Sequence, residues 1–175
     1  MKPKVVINFI LFQLAWFACV IGAAKAMPWL GVYVTVIILV WHVYTANQTK
    51  PELILLLIAL CIGAVFDQLM VSFNLIDYAS HGWDNQWVPV WILALWLGFA
   101  TALNNSLRWM RKHTIVAILF GAIGGPLAYL GASKLGALTL QGTHSIIALS
   151  IGWAVINPLL LYVSARFDGF KEINT

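Results

Sequence analysis

The stretch Leu53-Ile-Leu-Leu-Leu-Ile-Ala-Leu-Cys-Ile-Gly63-Ala-Val-Phe-Asp67-Gln68-Leu-Met-Val-Ser-Phe-Asn74-Leu75 decides the fold. At about 1.5 Å of rise per residue, it can carry one helix across roughly 30 Å of hydrocarbon. Five further windows have the same character: Val5–Ala24, Pro28–Ala46, Val88–Leu107, Thr114–Ser133 and Thr143–Ala165. Met27-Pro28, the Asn47–Pro51 run and the Arg108–His113 run break or charge the chain between them. The weakest break, Lys134–Gly142, predicts a tight hairpin of helices five and six close to the outer surface. The expected fold is an all-α membrane protein of six transmembrane helices, a single domain over residues 1–175.

Composition excludes the water-soluble classes. Of 175 residues, 62% are hydrophobic and 9% charged, with a mean hydropathy of +0.89. A soluble domain is about 25% charged, because its surface must be solvated. The net charge of +4 is scattered between apolar blocks, so it marks topology and not a nucleic-acid patch. With the N-terminus inside, Lys2, Lys4, Lys50, Arg108, Arg111, Lys112, Arg166 and Lys171 fall on the cytoplasmic side, and only Lys25 and Lys134 fall outside. This positive-inside asymmetry predicts both ends in the cytoplasm. Lys2, Lys4, the first apolar run and Ala24-Lys25-Ala26 also fit a secretory signal peptide. The length of the run, with its Asn8, Gln13 and Trp16, favours a retained first helix. Cys19 and Cys61 lack metal or redox spacing and read as packing residues. Trp29, Trp83, Trp87 and Trp109 lie near predicted helix ends, where an indole suits the lipid–water boundary. Trp16, Trp41, Trp91, Trp96 and Trp153 lie farther inside and read as packing.

Asp67 is the one Asp, Glu, Lys or Arg inside the six windows. An ionised Asp near a helix centre costs about 2.5–3.5 kcal/mol on insertion scales, so it needs a reason to be there. Gly63, Asp67, Val71 and Asn74 share one stripe of a helix, with Gln68 one residue off it. The expected site is therefore Asp67, Gln68 and Asn74 in the outer half of the bilayer, with Lys25 and Lys134 able to snorkel towards it. A structural Asp satisfied by neighbouring helices is the competing reading. Opposite it, the run Gly121–Pro126, with Gly124, Gly125 and Pro126, is expected to interrupt helix five and Asn157-Pro158 to interrupt helix six, with both helices kinked at Pro. Pro removes a backbone N–H and displaces the carbonyl four residues earlier.

A second polar group near the cytoplasmic side comprises Asn8, His42, Asn104, Asn105 and Asn157, with Gln13 deeper on helix one. Hydrogen-bonded glue between helices outweighs a ligand site there. The outer loop Ile76–Trp87 offers Asp77, His81 and Asp84 at a spacing that matches no metal site. No metal and no cofactor is expected. Motifs for nucleophilic catalysis, phosphate loops and zinc proteases are absent from the sequence.

Four strings stand out together: Asn8-Phe-Ile-Leu-Phe12-Gln13-Leu-Ala-Trp16-Phe, Gly63-x-x-x-Asp67, Pro89-x-Trp91 leading to Phe99-Ala-x-x-Leu-Asn104-x-Ser-Leu, and Gly121-Ala-Ile-Gly-Gly-Pro126-Leu-Ala-Tyr129. They resemble the Domain of Unknown Function 2878 family over nearly the whole chain, the Gly-Gly-Pro string most specifically. The second and sixth helices carry little of the resemblance. It implies a small multi-span inner-membrane protein of Gram-negative bacteria with no established activity. It also implies a connection to lipids and to lipid-modification proteins, because genes for cyclopropane-type fatty-acid modification often neighbour its members. Three readings of function stand, in this order. The first is a small transporter or lipid-handling protein with its site at Asp67 and membrane lipids as partners. The second is a non-catalytic accessory or scaffold subunit. The third is a membrane-embedded lipid-modifying enzyme with Asp67 or His42 as acid or base.

Overall fold

The computed structural model describes residues 3–171, so Lys2 lies outside the described residues. Six helices form: α1 (Pro3–Ala24), α2 (Pro28–Tyr44), α3 (Thr49–Ser72), α4 (Val90–Leu103), α5 (Thr114–Lys134) and α6 (Thr143–Arg166). A 3-10 turn at Arg108–Lys112 links α4 to α5. α1, α3, α5 and α6 are long and apolar enough to cross a membrane, whereas α2 and α4 have 17 and 14 residues. Protein rather than lipid surrounds α4, and Trp91, Ala94, Trp96, Ala100 and Leu103 along its length are all buried.

Polarity is inverted relative to a water-soluble fold. Asn8, Thr35, His42, Glu52, Asp67, Asn104 and Asn157 are buried, while Ile10, Leu14, Ile37, Val65, Ile123 and Ile151 stand on the outside. Such a surface suits hydrocarbon, and the polar interior glues the helices together. The protein is a membrane protein.

The helices pack in two groups. α1 seats closely on α2, because Gly31 leaves the space that Cys19 fills, and α4 lies against α1, α2 and α3. α5 and α6 form the second group. Gly121 and Gly125 on α5 make room for Trp153 on α6, and Asn157 Nδ2 donates to Ala117 O at 2.8 Å. α1 and α5 share no closely packed seam, and a cleft floored by α4 lies between them.

α5 runs as one helix through Gly124-Gly125-Pro126, and α6 as one helix through Asn157-Pro158. The expected interruptions of helices five and six are therefore absent. Pro126 leaves Ala122 O without its helical donor, but one missing bond does not end a helix whose flanking turns are held by neighbours.

Two short strands that hydropathy does not announce join the groups at one end. β1 (Ile76–Tyr78) pairs antiparallel with β2 (Leu138–Leu140), placing Ile76 opposite Leu140 and Tyr78 opposite Leu138. The Lys134–Gly142 link is thus part of a sheet, not a bare hairpin turn, with Gly136 and Gly142 supplying its positive-φ corners. The other end gathers the start of α1, the α2–α3 turn and the ends of α4 and α6. There Gln48 N donates to Gly169 O at 2.9 Å, and Arg108 reaches Phe170 O.

Candidate functional site

α3 presents Asp67 to the interior, one turn beyond Gly63, whose bare backbone admits the Trp96 ring. Asp67 is completely buried. Tyr78 from β1 and Tyr129 from α5 each donate to its Oδ1 at 2.7 Å, and Trp96 from α4 donates to Oδ2 at 2.6 Å. Neutral dipoles alone satisfy this carboxylate. Trp96 in turn stacks on Trp153 of α6, with ring centroids 4.8 Å apart and planes 7° from parallel. One side chain on α3 therefore ties the two helix groups together. The expected approach of Lys25 or Lys134 does not occur, because two phenols and an indole already occupy the oxygens; Asp67 has no ion pair among the described residues.

Gln68 and Asn74 do not join Asp67. Gln68 holds the outer loop, donating to Gln86 O at 2.9 Å and accepting from Val88 N at 2.8 Å. Asn74 is exposed, with φ at 53°, and lies past the end of α3. Its left-handed backbone lets Leu75 N reach Met70 O and close the helix. Asn74 leaves the Asp67 stripe because the helix has already ended.

Tyr129, Trp96 and Trp153 also line the cleft between α1 and α5, a cavity of about 210 Å³. Phe9, Phe12, Gln13 and Trp16 wall it on α1, and Phe120, Gly124, Gly125 and Ala128 on α5. Of the expected fifth-helix residues, Gly124 faces the cleft, with only the Phe120 ring near it at 3.9 Å. Gly125 lines the cleft while packing on Trp153, and Pro126 is buried away from it. Gln13 lines the cleft and makes no side-chain hydrogen bond among the described residues.

A second buried acid escapes the hydropathy reading. Glu52 lies in the first turn of α3, just outside the apolar window, and is fully buried. His42 Nε2 sits 2.7 Å from Oε1, while Asn104 Nδ2 at 2.5 Å and Gly169 N at 3.1 Å donate to Oε2. Asn104 Oδ1 accepts from Arg111, which also pairs with Asp168 at 2.8 Å; Arg108 joins Asp168 at 2.7 Å. The expected secondary group is thus divided. His42 and Asn104 belong to the Glu52 network. Asn8 donates to Thr101 O at 3.1 Å and accepts from Ser106 Oγ at 2.9 Å. Asn105 donates to Thr101 O at 3.2 Å, and Asn157 bridges α6 to α5. Lys4, Asn8, Trp41, His42, Thr45, Asn105 and Phe170 surround a separate cavity of about 290 Å³ at the end of the bundle where α1 begins. An acid beside Pro51 with a His ten residues earlier, across a two-helix turn, was the signal available for this network.

The family model for DUF2878, described as a protein of unknown function, matches residues 5–159. The chain belongs to this family. The matched span of the DUF2878 chain carries His42, Glu52, Asp67, Tyr78, Trp96, Asn104 and Tyr129, and it stops before Ser164 and Asp168. No curated protein and no solved structure matches the chain. Among the described residues of the DUF2878 protein, no three His, Cys, Asp or Glu side chains converge as metal ligands. In the outer loop His81 instead meets Tyr78 edge-on at 6.1 Å, and burial pushes its imidazole below the ordinary range.

Proposed function

We propose that this DUF2878 protein crosses a bacterial inner membrane six times, with both ends in the cytoplasm, and holds a lipid acyl chain between α1 and α5. The charge asymmetry supports the orientation. Lys4, Lys50, Arg108, Arg111, Lys112, Arg166 and Lys171 lie at one end of the bundle, and Lys25 and Lys134 at the other. α2 and α4 span only about 26 and 21 Å as helices. Their ends continue into protein-lined turns. Trp91 Nε1 donates to Ser80 O at 2.8 Å and Val90 N to His81 O at 3.0 Å, so the loop above α4 stays satisfied within the protein.

The cleft carries the lipid reading. It opens sideways between two helices with apolar outer faces, so its occupant comes from the hydrocarbon. The cleft is lined almost wholly by apolar and aromatic side chains, which suits an acyl chain. Asp67 is a positioning residue in this scheme, since it fixes Trp96 and Tyr129 in the cleft wall. Its closed geometry supports lipid handling over solute transport.

Gly124→Leu tests the reading, because Gly124 faces open space and a larger side chain fills the cleft without striking packed backbone. Native mass spectrometry of protein taken from membranes should find lipid retained by the wild type and lost from Gly124→Leu, with the thermal midpoint unchanged. Equal retention by both refutes it.

A further inference from the structure

We infer that the cavity where α1 begins is a phosphate site for the headgroup of an inner-leaflet phospholipid. It lies apart from the α1–α5 cleft and stands or falls separately, though it deepens the same lipid reading.

Among the described residues the cavity has one unpaired cation, Lys4, and one unpaired ring nitrogen, on His42. Lys4 lines it from the first turn of α1 and has no acidic partner among the described residues. His42 lines it from α2 and is 2% exposed. The Nε2 of that ring is spent on Glu52, and Nδ1 has no protein partner among the described residues. A carboxylate behind an imidazole fixes the ring's orientation, so His42 forms a rigid polar part of the cavity wall beside Lys4. Among the described residues, the nearby acids do not compete for the ligand's place. Glu52 already accepts from His42, Asn104 and Gly169, and Asp168 is held by Arg108 and Arg111.

Location selects the source of the phosphate. The cavity sits at the cation-rich end, between α1 and α2, where the exposed apolar faces of both helices begin at Val6, Ile7 and Val40. Trp41 stands partly exposed at its edge, where an indole marks the lipid–water boundary. A headgroup arriving there brings its phosphate to Lys4, beside the His42 ring, and leaves its acyl chains along apolar helix faces. The polar wall shared by Asn8 and Asn105 is otherwise engaged with Thr101 and Ser106, which gives the cavity a fixed shape before a ligand arrives.

The test is a lipid titration of the purified full chain by native mass spectrometry, using phosphatidylglycerol, the diacylglycerol with the same acyl chains, and inorganic phosphate. One phosphatidylglycerol should bind per chain in preference to diacylglycerol. Lys4→Gln should weaken it by about tenfold or more, the scale of a lost charge-assisted hydrogen bond, and His42→Gln should weaken it less, by removing the ring that shapes the wall beside Lys4. Lys50→Gln, at the same end but outside the cavity, should bind as the wild type. Gly124→Leu should leave the preference for phosphatidylglycerol over diacylglycerol intact, so a failed cleft and a failed headgroup site read differently. His42 is buried, so exposed Lys4→Gln decides the matter if His42→Gln does not fold. Unchanged binding by Lys4→Gln overturns the proposal, as does equal binding of diacylglycerol. Lys4-dependent binding of inorganic phosphate as tight as that of the lipid overturns the lipid source.

Discussion

Replacing Asp67 with Asn keeps the side chain's shape and takes away its charge and one acceptor. The amide retains one oxygen for Tyr78 and Tyr129, and sets an NH₂ where Oδ2 now receives the Trp96 indole at 2.6 Å. A hydrogen bond to a charged group contributes about 1.5–3 kcal/mol, and a buried donor left unsatisfied costs about 1–3 kcal/mol more. The expected loss is therefore about 3–5 kcal/mol. For a chain of this length each kcal/mol moves the thermal midpoint by about 2–4 °C, so Asp67→Asn should unfold roughly 6–20 °C earlier. The assay is thermal unfolding in detergent followed by near-ultraviolet circular dichroism, to which the stacked Trp96–Trp153 pair contributes. The native spectrum should also change, because Trp96 loses its anchor. A midpoint within about 1 °C of the wild type, with an unaltered spectrum, would refute the role of Asp67 as the tie between the helix groups.

Glu52→Gln should loosen the segment 167–171, because Gly169 N and His42 share that carboxylate; faster hydrogen exchange at Gly169 and a loss of about 2–4 kcal/mol are expected. Gly121→Ala should destabilise by about 1–3 kcal/mol, since its new methyl meets the Trp153 carbonyl. Gly124→Ala should hold or raise the midpoint, because there is room for the methyl and Ala favours helix by about 1 kcal/mol. Acid should weaken the outer loop through His81. Burial lowers its folded-state pKa from 6.5, so the unfolded loop binds more protons and stability falls as pH drops below 6.5. The protection factor of the Val90 amide, bonded to His81 O, should fall on acidification once the intrinsic exchange rate is corrected for pH, and His81→Asn should flatten that dependence.

Hydropathy alone places all six helices, because insertion into hydrocarbon depends on local composition over about 20 residues. It also finds Asp67, since a lone acid in such a window stands out. Its partners were out of reach. Tyr78, Trp96 and Tyr129 are 11, 29 and 62 residues away, and nothing local ties them to one carboxylate. Asn74 was misread because helical periodicity was carried past Ser72, where the backbone turns left-handed. The glycines of α5 look like a break in sequence, but in the fold they are the spaces that Trp153 and the cleft require. Glu52 fell outside its window by a single position, although burial depends on what covers a residue and not on where an apolar run begins. The strands β1 and β2 have three residues each, too few for a period to show.

The most direct test is high-resolution density of the protein in lipid nanodiscs. An acyl chain lying between Phe12 and Gly124, beneath Trp153, is the predicted result. Density for a neighbouring helix in that place, or Phe12 and Phe120 closed against each other with no chain between them, would contradict it.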